Sequence, residues 1–204
     1  MSDTRDPRYT ARLAGQTAWW RRLLDVQRPY REHLRALRPG RFLEVGCGIG
    51  RNLDNARAFA EGLGVDHNPT SVAAARARGL DAMTTGAFLA SRRAVKGGFD
   101  TLLVSHVLEH LTPEEGGALL SDYLPYVRQG GQVIVVTPQE AGFRSDPTHR
   151  TFADFAVCAE LLAGAGAAVV RQRSFPFPRW AGRLFRYNEF VTVARVGPAR
   201  RADG

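Results

Sequence analysis

A short apolar strand that runs directly into a glycine turn and then a helix constrains this chain more than any other feature. Arg41-Phe42-Leu43-Glu44-Val45 reads as the strand and Gly46-Cys47-Gly48-Ile49-Gly50 as the turn. Such a turn brings backbone N–H groups against a ligand, and glycines serve because a Cβ would block the approach. Strand and helix patterns then alternate. Strands are expected at 62–66, 80–84, 99–105, 132–137, 167–175 and 190–196, and helices at 69–78, 113–127 and 151–163. Asn68 and Thr112 are placed as N-caps, with Pro69 and Pro113 opening their helices. This alternation implies βαβ units, a mainly parallel sheet and helices on both faces.

The 204 residues suit one domain with a proper core. Residues 8–37 read as helical, with Trp19, Leu23, Leu24, Val26, Tyr30, Leu34 and Leu37 at mixed three- and four-residue spacing and Pro29 splitting the stretch into two helices or kinking it. The expected organisation is an N-terminal helical extension or lid over 1–40, the α/β domain over 41–197 and a frayed tail over 198–204. No apolar run approaches the ~18 residues of a membrane span. Residues 1–10 have no apolar core of a signal peptide, and two cysteines, Cys47 and Cys158, make no disulfide framework. A cytoplasmic location is the expectation. The formal charge is +8, almost all of it from arginine, with clusters between Arg5 and Arg41 and between Arg171 and Arg186. Such clusters either attract an anionic partner or form solvated faces.

The acidic residue ahead of the turn narrows the ligand. A carboxylate at Glu44 would repel a pyrophosphate but attract a cation. A dinucleotide fingerprint begun at Gly46 also needs its third glycine at position 51, which is Arg51. A nucleotide-dependent oxidoreductase is therefore disfavoured. Asp66, at the end of the second strand, can accept hydrogen bonds from ribose hydroxyls, and its competing role is to cap the next helix. His67 and Asn68 follow it, bordering the expected adenine position.

LEVGCGIGRNL, VDHNPTSVAAAR, FDTLLVSHVLEHL and GGQVIVVTP, in that order across residues 41–138, resemble the class I S-adenosylmethionine-dependent methyltransferases. The resemblance implies a seven-stranded Rossmann-like sheet whose last strand is antiparallel. It also implies S-adenosylmethionine as cofactor, with Glu44 and Gly46 around the methionine moiety and Asp66 at the ribose. The cofactor-binding set is Glu44, Gly46, Cys47, Gly48, Asn52, Asp66, His67, Phe88 and Ser105. Many members carry an acidic residue after the third strand to hold adenine. Here the stretch is Thr84-Thr85-Gly86-Ala87-Phe88, which leaves adenine to a hydroxyl or to the chain near Ala87 and Phe88.

Ligands in open α/β sheets sit beyond the carboxyl ends of the strands, which places Ser105 and His106 near the reactive methyl. His106 is the natural base for a hydroxyl acceptor. Amine methylases of nucleobases carry an Asn/Asp-Pro-Pro-aromatic motif here, whereas this chain has Ser105-His106-Val107-Leu108. His106, Glu109 and His110 share one helical face by spacing, and His149 follows the fifth strand. The four are the catalytic candidates. They also form a candidate divalent-metal set, similar to the Glu-x-x-Glu-His plus distant His sites of metal-dependent O-methyltransferases such as the ubiquinone-pathway enzymes and the small-RNA 3′-end ribose methyltransferases. His106 stands in place of the first glutamate. Metal binding, metal-free acid–base chemistry and a purely structural turn all remain open.

Two aromatic segments stand at the acceptor end. One holds Tyr9, Trp19, Trp20 and Tyr30, and the other runs from Ser174 through Trp180 to Glu189. They either close over an acceptor or touch a membrane, or they cover the sheet edge. Residues 139–149 read as a long loop suited to a lid, with Arg144 and Arg150 flanking His149. The leading function is methyl transfer to a small-molecule, lipid or glycan acceptor at oxygen. RNA ribose methylation and non-catalytic cofactor or partner binding stand behind it, and the oligomeric state is left open.

Overall fold

Helix starts in this chain are fixed by local chemistry. Asn68 accepts from the backbone N–H groups of Thr70 and Ser71 and opens a helix over Pro69–Ala77. Thr112 and Glu115 form a reciprocal capping box at the head of Pro113–Tyr123. Caps of this type contribute about 1 kcal/mol each. The protein was described from a computed structural model, which covers residue 25 and residues 27–197. The helix expected over 8–24, its aromatic residues Tyr9, Trp19 and Trp20, and the tail 198–204 lie outside the described residues.

In chain order the elements are α1 (Arg28–Leu37), β1 (Arg41–Val45), α2 (Arg51–Ala56), β2 (Glu61–Asp66), α3 (Pro69–Ala77), β3 (Ala82–Thr84), α4 (Thr85–Leu89), β4 (Phe99–Ser105), α5 (Pro113–Tyr123), β5 (Val127–Pro138), α6 (Glu140–Phe143), α7 (Phe155–Gly164), β6 (Ala167–Phe175) and β7 (Glu189–Val196). Short 3₁₀ turns occupy Leu108–His110, Leu124–Tyr126 and Arg179–Arg183. The strands form one seven-stranded sheet in the order β3-β2-β1-β4-β5-β7-β6. The expected α/β class, the mainly parallel sheet and the antiparallel last strand are all observed.

The chain divides into two compact units at residues 94 and 95. In the first, β1, β2 and β3 pair in parallel, and Asp66 ends β2 opposite Thr84. Its core holds Phe42, Leu43, Leu63, Val65, Ala75 and Phe88, and each large side chain buried there contributes about 1.5–3 kcal/mol. Of the split and the kink expected at Pro29, the structure has a helix start: Pro29 lies in the first turn of α1, where its missing N–H costs nothing. In the second unit β4 and β5 run parallel, while β7 runs antiparallel to both β5 and β6. Leu102, Leu103, Ile134, Leu162 and Phe190 are buried there.

Several boundaries differ from the sequence expectation. The helix expected over 113–127 ends at Tyr123, because Pro125 forces a 3₁₀ turn. Gly130-Gly131, expected as the turn before a strand, lies inside β5 as an irregularity in its pairing with β4. The helix expected from Thr151 starts at Phe155, where Asp154 caps the N–H groups of Ala156 and Val157. Residues 139–149 are not an open loop. Glu140–Phe143 is helical, and the carbonyl of Glu109 accepts from the N–H groups of Arg150 and Thr151 just beyond it.

Candidate active site

In the first unit the glycine turn is tied to β2 at several points. The N–H groups of Gly46 and Cys47 both donate to the Val65 carbonyl, at 2.8 and 3.2 Å. The N–H of Gly48 donates to Asp66 Oδ2 at 2.8 Å, and the N–H of Asn68 donates to Asp66 Oδ1 at 2.8 Å. Asp66 thus shapes the turn with one oxygen and the start of α3 with the other. Each oxygen keeps a second lone pair for a ligand. Gly46, Gly48 and Gly50 all have positive φ. At Gly50 a Cβ would also lie 2.5 Å from Leu80 Cδ1, so a side chain there would be strained in φ and would have to displace Leu80.

Glu44 is buried at the end of β1. Its Oε1 accepts from Asn52 Nδ2 at 2.7 Å, which brings those two expected residues together. Its Oε2 is buried and has no hydrogen-bond partner among the described residues. Burial pushes the Glu44 carboxyl up to about 8; the Asn52 bond opposes the shift and the nearby Asp66 charge adds to it. The Arg51 charge also opposes the shift without cancelling it, and a buried carboxyl oxygen with no hydrogen bond among the described residues can take a further donor. That is the chemistry an α-ammonium group would complete.

The other residues expected here serve differently. The Cys47 side chain packs over Gly64, where a Cβ would come within 2.6 Å of its Sγ. Burial holds the thiol far above its usual range, so Cys47 acts in packing and through its backbone. His67 is exposed beside Asp66, with Nδ1 3.6 Å from Oδ1. At Phe88 the side chain is buried, which leaves the expected adenine contact to the chain near it. Thr84 caps α4 by accepting from the Ala87 N–H, and the helix turns Phe88 fully into the core. Both cysteines are free thiols.

In the second unit β4 ends at Ser105, which is half-buried and pairs with Val136. His106 follows with φ 57°, a left-handed conformation that is strained for a non-glycine residue. Its N–H donates to the Val136 carbonyl. The ring lies between two carboxylates, Nδ1 at 3.1 Å from Glu109 Oε1 and Nε2 at 2.9 Å from Glu189 Oε1. Burial opposes protonation of this imidazole, but the bonds to Glu109 and Glu189 outweigh it and push its pKa up to about 10. An imidazolium that donates from both nitrogens has no lone pair for a proton or a metal. Both nitrogens that the expected base or metal ligand would use are engaged by carboxylates here, which makes His106 a clamp between two acids in this geometry. Glu189 was not foreseen.

Glu109 also belongs to a cluster with His110 and His149, with one potential ligand atom from each lying within 4.8 Å of the others. Hydrogen bonds fix both tautomers. Thr148 Oγ1 donates to Asp146 Oδ1 at 2.7 Å, so it accepts from His110 Nδ1 at 3.1 Å. His149 Nδ1 donates to the Phe143 carbonyl at 2.8 Å. In each ring Nδ1 carries a proton, and Nε2 is the nitrogen left to meet a ligand. The rings meet edge to face at 4.8 Å, and Phe143 stacks on His149. Desolvation lowers the His110 pKa, which favours this neutral form. Glu109 Oε2 is buried with no hydrogen-bond partner among the described residues. Two imidazoles oriented through Nδ1 and one carboxylate fit a first-row divalent ion. The same set without a metal fits proton acceptance.

With this geometry established, the chain was compared with known proteins. The family described as methyltransferase domain matches residues 19–187. The chain belongs to this methyltransferase family. No curated protein matches it. Among solved structures, this methyltransferase resembles a SAM-dependent methyltransferase from Archaeoglobus fulgidus with 19% identity and a TM-score of 0.63, over 85% of this chain and 98% of that one. It also resembles the magnesium protoporphyrin IX methyltransferase of Synechocystis PCC 6803, solved with bound SAH, with 18% identity and a TM-score of 0.59 over 84% and 85% of the two chains. A third is an S-adenosylmethionine-dependent methyltransferase from Mesorhizobium loti, with 20% identity and a TM-score of 0.59 over 80% and 96%. The fold is that of the class I methyltransferases. Among the described residues no helix is long and apolar enough to cross a membrane.

Proposed function

We propose that this methyltransferase uses S-adenosylmethionine to methylate an oxygen of a small-molecule, lipid or glycan acceptor. The observation that carries the cofactor reading is Glu44, whose buried Oε2 has no hydrogen-bond partner among the described residues. When bound, S-adenosylmethionine supplies an electrophilic methyl group on a sulfonium. Glu44, oriented by Asn52, holds the ammonium end. The second lone pairs of Asp66 accept from ribose hydroxyls, while its bond to Gly48 keeps the glycine turn in shape. Cys47 and Gly64 pack this turn against β2.

Transfer to oxygen forms a C–O bond, breaks the S–C bond and releases one proton from the acceptor. His110 Nε2, His149 Nε2 and Glu109 Oε2 supply lone pairs for that proton. A divalent ion held by Glu109, His110 and His149 would instead lower the pKa of the acceptor hydroxyl. Ser105 and His106 border the acceptor, with His106 as a fixed positive charge rather than the base.

The test starts with calorimetric titration of S-adenosylhomocysteine. Micromolar binding that Glu44→Gln weakens at least tenfold, ~1.4 kcal/mol, is expected. Incubation of methyl-labelled cofactor with metabolite, lipid and glycan extracts should then place the label in an O-methyl ether. A folded wild type that binds no S-adenosylhomocysteine overturns the cofactor reading, and label found only on nitrogen or carbon overturns the acceptor reading.

A further inference from the structure

Between β6 and β7 the chain raises five apolar side chains to the surface within eleven residues. Phe177 is 50% exposed, Trp180 69%, Leu184 84%, Phe185 38% and Tyr187 41%. Isolated exposed apolar residues are common, but a contiguous group of this size marks an interaction site. Phe177, Phe185 and Tyr187 touch in sequence, edge to face, at 5.3 and 5.6 Å.

The exposure is built from beneath. Asn188 is fully buried. Its Nδ2 donates to Gln139 Oε1, Ser174 Oγ and the Pro178 carbonyl, and its Oδ1 accepts from the Phe177 N–H. Gly182 sits so close to Gln139 that a Cβ would overlap Oε1 at 1.8 Å. Arg179 makes a two-pronged ion pair with Glu140 and lies over the Phe190 ring at 4.7 Å. These contacts hold the Arg179–Arg183 turn down, so Trp180 and Leu184 cannot fold back into the core without breaking a buried polar network.

Charge selects the partner. Residues 171–188 contain five arginines and no acidic residue. Arg183 and Arg186 are exposed beside the apolar crest, and Arg144 donates to the Arg183 carbonyl. The chain's own first 24 residues are a poor cover for this patch, since they carry five arginines against two aspartates. An aliphatic crest flanked by aromatic rings and arginines matches a bilayer interface: rings sit at headgroup depth, leucine goes below them, and guanidinium groups pair with phosphates.

We propose that the Phe177–Tyr187 segment docks this protein on anionic phospholipid membranes, with Trp180 and Leu184 entering the interface and Arg183 and Arg186 meeting lipid phosphates. The docking is independent of the methyl-transfer reading.

Cosedimentation with vesicles of phosphatidylcholine and phosphatidylglycerol in equal parts, against phosphatidylcholine alone, tests it. The wild type should pellet with the anionic vesicles only. The pairs Trp180→Ala with Leu184→Ala, and Arg183→Gln with Arg186→Gln, should each weaken binding at least tenfold while thermal midpoint and S-adenosylhomocysteine affinity stay unchanged. In a background of Trp19→Phe and Trp20→Phe, brominated lipid should quench Trp180 emission. The proposal is overturned if the wild type stays in the supernatant, or if both pairs pellet like wild type. It is equally overturned if the arginine pair loses affinity for an oligoribonucleotide with vesicle binding intact, or if the apolar pair only dissolves a dimer that binds no vesicle.

Discussion

His106 Nε2 lies 2.9 Å from Glu189 Oε1, although 83 residues separate the two in sequence. The contact links the end of β4 to the start of β7, and Glu109 completes it from the other side of the ring. A proton on the ring offsets the cost of burying two carboxylates around it. His106 is 46% exposed on its side chain, so solvent moderates the effect but does not reverse it.

The first prediction concerns that proton. A histidine whose folded pKa is raised to about 10 adds stability that is complete below its ordinary value of 6.5 and is lost as pH rises through 10. Nitrogen chemical shifts of His106 should report an imidazolium at pH 8. Glu189→Gln should lower that pKa and flatten the fall in thermal midpoint between pH 7 and 10. A neutral ring at pH 7 in the wild type would restore His106 as a base.

Glu44 has the same sign over a lower pH window. Its carboxyl is raised to about 8, so below that pH the free protein carries a proton there which a cationic ligand must displace. Binding of S-adenosylhomocysteine at pH 7 should release protons, read as a binding enthalpy that differs between phosphate and Tris buffers. The raised pKa also means that the unliganded protein loses stability as pH climbs from about 4.5 to 8. The ligand-induced rise in thermal midpoint should therefore be larger at pH 8.5 than at pH 6. Glu44→Gln should abolish the proton release, and an identical release in that variant would assign the proton elsewhere.

For the Glu109–His110–His149 cluster the expected outcome is uptake of one Co(II), visible as d–d absorption, and its loss in His149→Ala. Chelated protein should lose methyl transfer and regain it with divalent metal. Full activity after chelation, with no cobalt spectrum, would leave the cluster as a metal-free proton acceptor. In that case activity should follow the titration of His110, whose pKa burial lowers.

What was legible in the sequence was what local chemistry decides. The Asn68 cap, the Thr112 box and the β1–glycine turn are each written within a few residues, and the structure forms them. Glu44 with Asn52 and Asp66 with Gly48 follow from the same short segments. The errors are non-local. Nothing beside Glu189 marks it as the partner of His106, because β7 reaches β5 only by an antiparallel return late in the chain. Helical spacing suggested one face for His106, Glu109 and His110. A positive φ at His106 and a 3₁₀ turn at Leu108–His110 instead split them into a clamp and a cluster. At Phe88 a five-residue helix turns the side chain inward, which leaves the expected adenine contact there to the chain itself.

The fit between β2 and the glycine turn can be tested at Gly64 apart from any ligand. A Cβ there would lie 2.6 Å from Cys47 Sγ and 2.7 Å from Leu53 Cδ1, and neither can withdraw far, since Cys47 and Leu53 are both buried. Gly64→Ala should cost about 1–3 kcal/mol by overpacking and should weaken S-adenosylhomocysteine binding by displacing the turn. Gly79→Ala is the control. Its φ of 72° makes a side chain strained, but no atom lies within 4 Å of the new Cβ. It should cost about 1–2 kcal/mol and leave ligand affinity unchanged. Adding Cys47→Ala to Gly64→Ala removes the sulfur but leaves Leu53 and the Cβ of residue 47, 2.8 Å from the new Cβ, so thermal melts of the double variant should recover part of the loss. A double variant no more stable than the sum of its parts predicts would mean that the Cys47 sulfur is not what Gly64 makes room for.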